Sequence, residues 1–155
     1  MLHHLEIWVD DLAASTASLG WLLCRIGYQI QSQWANGISY EFGDHYIVLE
    51  SGPDLLHQRH ERRSPGLNHV AFRLPNAEDV EAVVAESIQH GFTLMFADKH
   101  PYAGGPDHYA AYLEDDAGFE IELVAVDSST PHEKQQGRVS GKLLPETHPT
   151  ASSGN

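Results

Sequence analysis

The first 126 residues state one plan twice. Leu5, Ile7 and Val9 alternate with His4, Glu6 and Trp8, a period-two pattern that predicts a strand with one apolar face. Val70, Phe72 and Leu74 alternate in the same way behind His69. Each strand runs into a helix. Asp10-Asp11 offers an N-cap to a helix over 12–26, with Leu19, Leu22, Leu23 and Ile26 at helical spacing. Asn76 followed by Asp79 resembles a capping box ahead of a helix over 80–90. Both helices close on a glycine followed by an aromatic residue, Gly27-Tyr28 and Gly91-Phe92, the C′ position that tolerates left-handed backbone.

Three further strands complete each half. In the first they span 28–34, 38–42 and 45–50, separated by Asn36-Gly37, a strong hairpin signal, and Gly43-Asp44. In the second they span 92–96, 108–114 and 119–126, the last two joined through Asp115-Asp116-Ala117-Gly118. The expectation is an α+β fold of two βαβββ modules, about 2–50 and about 67–126, within one domain over 1–126. A polar connector rich in His and Arg, residues 51–66, joins them. Residues 127–155 are dominated by Ser, Thr, Pro, Gly, Gln and His and read as a flexible tail, too poor in apolar groups to offset its ordering entropy.

Charge narrows the function. Nine Lys and Arg stand against 22 Asp and Glu, a formal charge of −13. That argues against a nucleic-acid binder, whose footprint should be basic, and against docking to anionic lipid. No apolar run approaches the roughly 18 residues of a membrane span, and no signal peptide is visible, so a cytoplasmic location is expected. The single cysteine, Cys24, rules out an internal disulfide and a multi-cysteine zinc site. Its place in a helical apolar run reads as a small buried hydrophobe.

The chemistry resides in the polar positions of the repeated strands. With Leu5, Ile7 and Val9 packed under a helix, His4 points to the opposite face, and His69 does the same in the second module. Glu50 closes the fourth strand and Glu122 lies in the eighth, again on the faces away from the helices. If the two sheets close around each other, two imidazoles and two carboxylates converge. That donor set suits a divalent ion of intermediate hardness, such as zinc, nickel, manganese or iron(II), without selecting among them.

The segments His4-Leu-Glu-Ile-Trp-Val-Asp-Asp-Leu12, Gly66-Leu-Asn-His69-Val-Ala-Phe72 and Glu114-Asp-Asp-Ala-Gly-Phe-Glu-Ile-Glu122-Leu123 resemble the vicinal oxygen chelate superfamily, also called glyoxalase/bleomycin resistance/dioxygenase. The resemblance implies two βαβββ modules curved around a metal-containing cavity, with His4, Glu50, His69 and Glu122 as ligands. It implies a lyase or isomerase of glyoxalase type that stabilises the enolate or enediolate of a small oxygenated substrate. Glu50 or Glu122 would move the proton, with His108 as an alternative base. Ser51-Gly52-Pro53 departs from the stretch expected of glutathione-using members.

Tyr112, Gly118-Phe119 and Glu122 follow the closing signature of extradiol dioxygenases, with His100 and His108 upstream and Asp116 where that signature has proline. In such an iron(II) enzyme the ligands would be His4, His69 and Glu122. A third reading is a metal-free binder of cationic drugs, as in bleomycin resistance, which the acidity would suit. Trp8, Tyr46 and Tyr112 are candidate pocket walls, and loop 97–107 is a candidate lid. His57, His60, Arg62 and Arg63 form a connector cluster that an anionic substrate could meet. The expected partner is a small molecule. Pairing of the modules within one chain or across a homodimer is left open by the sequence.

Overall fold

A computed structural model describes residues 2–56 and 59–127 of the chain. The expected tail therefore lies outside the described residues except for Asp127, which ends the last strand. The first module is β1 (His4–Trp8), α1 (Leu12–Ser15), a π-helical turn (Thr16–Gly20), α2 (Trp21–Arg25), β2 (Gln29–Trp34), β3 (Gly37–Phe42) and β4 (His45–Glu50). The second is β5 (His69–Asn76), α3 (Ala77–Ser87) with a 3-10 turn (Ile88–His90), β6 (Phe92–Met95), β7 (Ala110–Asp115) and β8 (Glu120–Asp127).

Each module builds one four-stranded mixed sheet, ordered β1-β4-β3-β2 and β5-β8-β7-β6. In both, the opening strand pairs in parallel with the closing strand, and the remaining pairs are antiparallel. The twofold plan of the sequence is thus the plan of the fold. Asp11 caps α1 through Ala14 N–H at 3.0 Å, and Asn76 caps α3 through Asp79 N–H at 2.9 Å. Gly27 and Gly91 close the helical segments at φ +107° and +80°.

The first helix is not continuous. Its middle turn widens to π geometry at Thr16–Gly20. Buried Tyr40 brings its hydroxyl against Gly20, where a Cβ would collide with it. Thr16 Oγ1 meanwhile donates to the Leu12 carbonyl at 2.7 Å. The π turn thus sits where the sheet's Tyr40 packs against the helix, with only a glycine at the contact. Beyond this turn Leu22 and Leu23 are buried and Cys24 is exposed, so Cys24 is not the buried hydrophobe expected from its neighbours.

The two halves share one apolar core. Leu19, Leu22 and Leu23 meet Ile7, Ile47 and Leu49 of the first sheet and Val70, Phe72 and Ile121 of the second around one small apolar pocket. Polar contacts tie the same junction. Ser18 Oγ donates to Asp115 Oδ2 at 3.1 Å, Arg25 forks onto Glu86 at 2.6 and 2.9 Å, and the Trp21 ring stacks on His90 at 3.9 Å. Because the helix-side faces of both sheets meet here, their other faces point away from the junction. His4, Glu6 and Trp8 are exposed on one, and His69, Ala71 and Arg73 on the other. The convergence of His4 with His69 that a closed pair of sheets would give is therefore not made within one chain.

Candidate active site

The open face of the second sheet carries three rows set by register. His69, Glu120 and Glu114 form the first row; Ala71, Glu122 and Tyr112 the second; Arg73, Val124 and Ala110 the third. Glu122 is the centre. It is only 7 % exposed, although it lies on the face away from the core. His108 Nε2 is 2.6 Å from its Oε1 and His69 Nε2 is 3.3 Å from its Oε2. Tyr112 adds a hydrogen bond from the neighbouring strand. The Tyr112 ring also stands edge-on to His69, with centroids 6.3 Å apart.

The electrostatics follow from that shell. Burial pushes the Glu122 carboxyl upward. The hydrogen bonds from His108 and Tyr112, with the charges of His108 and His69, outweigh burial and hold it below its ordinary value. Burial, together with the Glu122 carboxylate, pushes the Tyr112 phenol up to about 12. At neutral pH the arrangement is a carboxylate held ionised beside a phenol that keeps its proton. It can accept a proton through Glu122 and stabilise a developing oxyanion through Tyr112 and the imidazoles.

His108 reaches Glu122 from the end of a loop. The sequence placed it in a strand, but β7 begins two residues later at Ala110. Gly104 makes the approach feasible, since a Cβ there would come within 2.6 Å of Tyr112 Oη and 2.7 Å of His108 Cδ2. His100 turns outward to Glu81 at 2.9 Å and takes no part.

The connector completes the first row. Arg62 pairs with buried Glu120 at 2.8 Å, and Arg59 with Glu114 at 3.0 Å. The His60 ring stacks on Phe119 with centroids 4.5 Å apart. Arg63 bonds Glu61 within the connector, and His57 lies outside the described residues. The expected cationic cluster is therefore spent largely on the protein's own carboxylates and on docking the connector.

In the first module, His4 stacks on Tyr46 at 4.9 Å and its Nδ1 is 2.8 Å from that of His3. Glu50 does not accompany it. His4 lies opposite Tyr46 in the β1–β4 register and Glu50 opposite Trp8 at the far end, a strand separation of roughly 13 Å. The residue equivalent to Glu122 is Val48, which lies opposite Glu6 as Glu122 lies opposite Ala71. The match of Glu50 with Glu122 is thus corrected by one full pleat. Positions 48 and 50 share a face, so alternation alone does not separate them.

Within one chain the β1–β4 register keeps Glu50 apart from His4. Among the described residues, no three or more His, Cys, Asp or Glu side chains are grouped to hold a metal ion. Elsewhere, a cavity of about 930 Å³ opens between the start of α1, the connector and the β7–β8 turn, with Trp8, Leu56, Asp116 and Phe119 in its walls. None of His4, Glu50, His69, His108, Tyr112 and Glu122 lines it.

The model of the Glyoxalase/Bleomycin resistance protein/Dioxygenase superfamily matches residues 3–112. The chain belongs to that superfamily. It is 35 % identical over 125 residues to the uncharacterized protein YqjT of Bacillus subtilis, covering 80 % of this chain and 98 % of that one. It also resembles the crystal structure of a candidate glyoxalase from Bacillus halodurans. The TM-score there is 0.76 at 39 % identity, over 81 % of this chain and 95 % of that one. Lactoylglutathione lyase from Agrobacterium tumefaciens shares the fold, with a TM-score of 0.57 at 16 % identity over 81 % and 93 % of the two chains. The superfamily includes enzymes, and divalent metals are common in it. No helix among the described residues is long and apolar enough to cross a membrane.

Proposed function

We propose that the chain is an enzyme that moves a proton beside a carbonyl in a small oxygenated molecule, a lyase or isomerase of glyoxalase type. The observation that carries this reading is the 2.6 Å contact of His108 Nε2 with Glu122 Oε1 on an open sheet face. Glu122 takes the proton. Tyr112 and His69 donate to the oxygen that gains charge, and His108 returns a proton to the product. Glu50 has no part in this scheme.

A second copy of the chain packs against the open face of the first sheet. All six residues of β2 are exposed, with Ile30 at 52 % and Trp34 at 43 %, and Trp8 is 44 % exposed on the face that holds His4. Burying them against a partner removes apolar surface from water and brings a second strand histidine toward a Glu122 cluster. A sedimentation profile that remains at the 17.2 kDa monomer at all concentrations would refute this assembly.

A divalent ion would be held by His69 and Glu122 with His4 of a second copy, and would supply Lewis-acid polarisation of the substrate oxygen. The separation of His69 Nε2 from Glu122 Oε2, 3.3 Å, favours this second reading. An iron(II) dioxygenase would use the same three residues and consume oxygen, which an oxygen electrode distinguishes. Non-catalytic drug binding predicts tight capture of organic cations without turnover.

The deciding experiment follows proton exchange in deuterated water by NMR for a panel of 2-oxo and 2-hydroxy carbonyl compounds, with and without added zinc, nickel, manganese or iron(II). Enzyme-dependent loss of the proton next to the carbonyl is expected, reduced about 10²–10⁴-fold in Glu122→Gln. An unchanged rate in that variant would overturn the reading.

A further inference from the structure

We infer that Arg73 is the substrate's anion-binding residue, and that the molecule processed beside Glu122 carries a carboxylate or phosphate. The inference rests on the site proposed above and names the class of molecule that fits it. Five arginines fall among the described residues. Arg25 pairs with Glu86, Arg59 with Glu114, Arg62 with Glu120 and Arg63 with Glu61. Arg73 has no ion pair or hydrogen bond among the described residues, in a chain whose formal charge is −13.

Its position gives that lack meaning. Arg73 is exposed on the face that holds Glu122, one pleat along β5 from Ala71, which lies directly opposite Glu122. One pleat is roughly 7 Å, within the reach of a guanidinium on its three-carbon stem. Its own partner across the ladder is Val124, and the next strand contributes Ala110, so its row offers no carboxylate. The carboxylates two rows away, Glu114 and Glu120, are already neutralised by connector arginines.

Between Arg73 and the Glu122 cluster the sheet presents the small exposed side chain of Ala71. A small molecule lying over Ala71 would present one end to Glu122, Tyr112 and His69 and the other to Arg73. The planar guanidinium fork matches carboxylate and phosphate oxygens in pairs. The reacting carbon and the anion are then separated by only a few bonds.

The test is binding to the full-length protein, followed by NMR titration with pyruvate, phosphoglycolate and the neutral amide pyruvamide. The two anions distinguish a carboxylate site from a phosphate site. Wild type should bind one anion at least tenfold more tightly than pyruvamide, with shifts at Ala71, Arg73 and Val124. Arg73→Gln should lose roughly tenfold or more of that affinity, and Arg73→Lys should recover part of it. Arg73 is exposed, so the variants should retain the wild-type melting temperature.

Anion affinity in Arg73→Gln within twofold of wild type would overturn the inference, as would no preference for either anion over pyruvamide. Measuring anion binding and proton exchange side by side separates the two readings. Arg73-dependent binding that persists while no proton exchange is found would sink the proton-transfer reading alone. Exchange that proceeds with unchanged KM in Arg73→Gln would sink the anion site alone.

Discussion

Val48 and Glu122 hold the same place in the two halves of the molecule. Each lies opposite the residue two beyond the histidine that opens the first strand of its module, Glu6 for Val48 and Ala71 for Glu122. The fold is repeated, but the chemistry is not. One sheet pairs its histidine with a carboxylate, and the other sets valine there.

Restoring the symmetry should restore a ligand. Val48→Glu is expected to raise zinc affinity by about tenfold or more, roughly 1.4 kcal/mol. Glu50→Gln should leave it unchanged. Competition against a chromophoric chelator measures both. A Glu50→Gln loss equal to that of His69→Ala would show that the register argument misassigns the ligand.

Gly104 is a space-making residue for the site. A methyl group there would be driven into Tyr112 Oη and His108 Cδ2. Gly104→Ala should therefore displace His108 from Glu122 and lower the exchange rate about 10- to 100-fold, as misplacement by an ångström does. The far-ultraviolet circular dichroism should match wild type, because loop 97–107 contributes no strand or helix to the sheets.

Asp115 should give the junction a characteristic pH dependence. Burial raises its pKa, against the opposing hydrogen bonds from Phe119 N–H and Ser18. A carboxyl raised in the folded state holds more protons folded than unfolded. Its contribution to stability therefore falls as pH rises from the unfolded value to the folded one, and is level above. Urea unfolding of wild type and Asp115→Asn between pH 3 and 8 should show wild type losing ground to the variant over that window. A difference that does not vary with pH would refute this assignment.

Leu22 tests how far the halves depend on each other. Its side chain is fully buried where both sheets meet the first helix. Leu22→Ala is expected to cost about 2–5 kcal/mol. One cooperative transition should persist, since the same cavity adjoins Ile7 and Phe72. Two separated transitions in calorimetry would show that the modules unfold independently.

The elements were legible in local pattern. Alternation in 4–9 and 69–74, the caps at Asp11 and Asn76, and the glycines at 27 and 91 all reflect local backbone chemistry. Each stands where it was read. The boundaries shifted by a few residues, and His108 left its strand, because strand ends depend on which partner carbonyls are in reach. Local pattern also exposed His69 and Glu122 as polar positions on an otherwise apolar plan. Which of those positions meet was set by packing and register between elements. Period two assigns Val48 and Glu50 to one face equally, and it is the β1–β4 ladder that gives Val48, not Glu50, the place that Glu122 holds in the second sheet. Tyr40, distant in sequence from Gly20, lies against the π turn of the first helix, and Cys24 beyond that turn is exposed. The shared core around Leu22 points the two histidine-bearing faces apart, an outcome of packing between elements that no local window of residues contains.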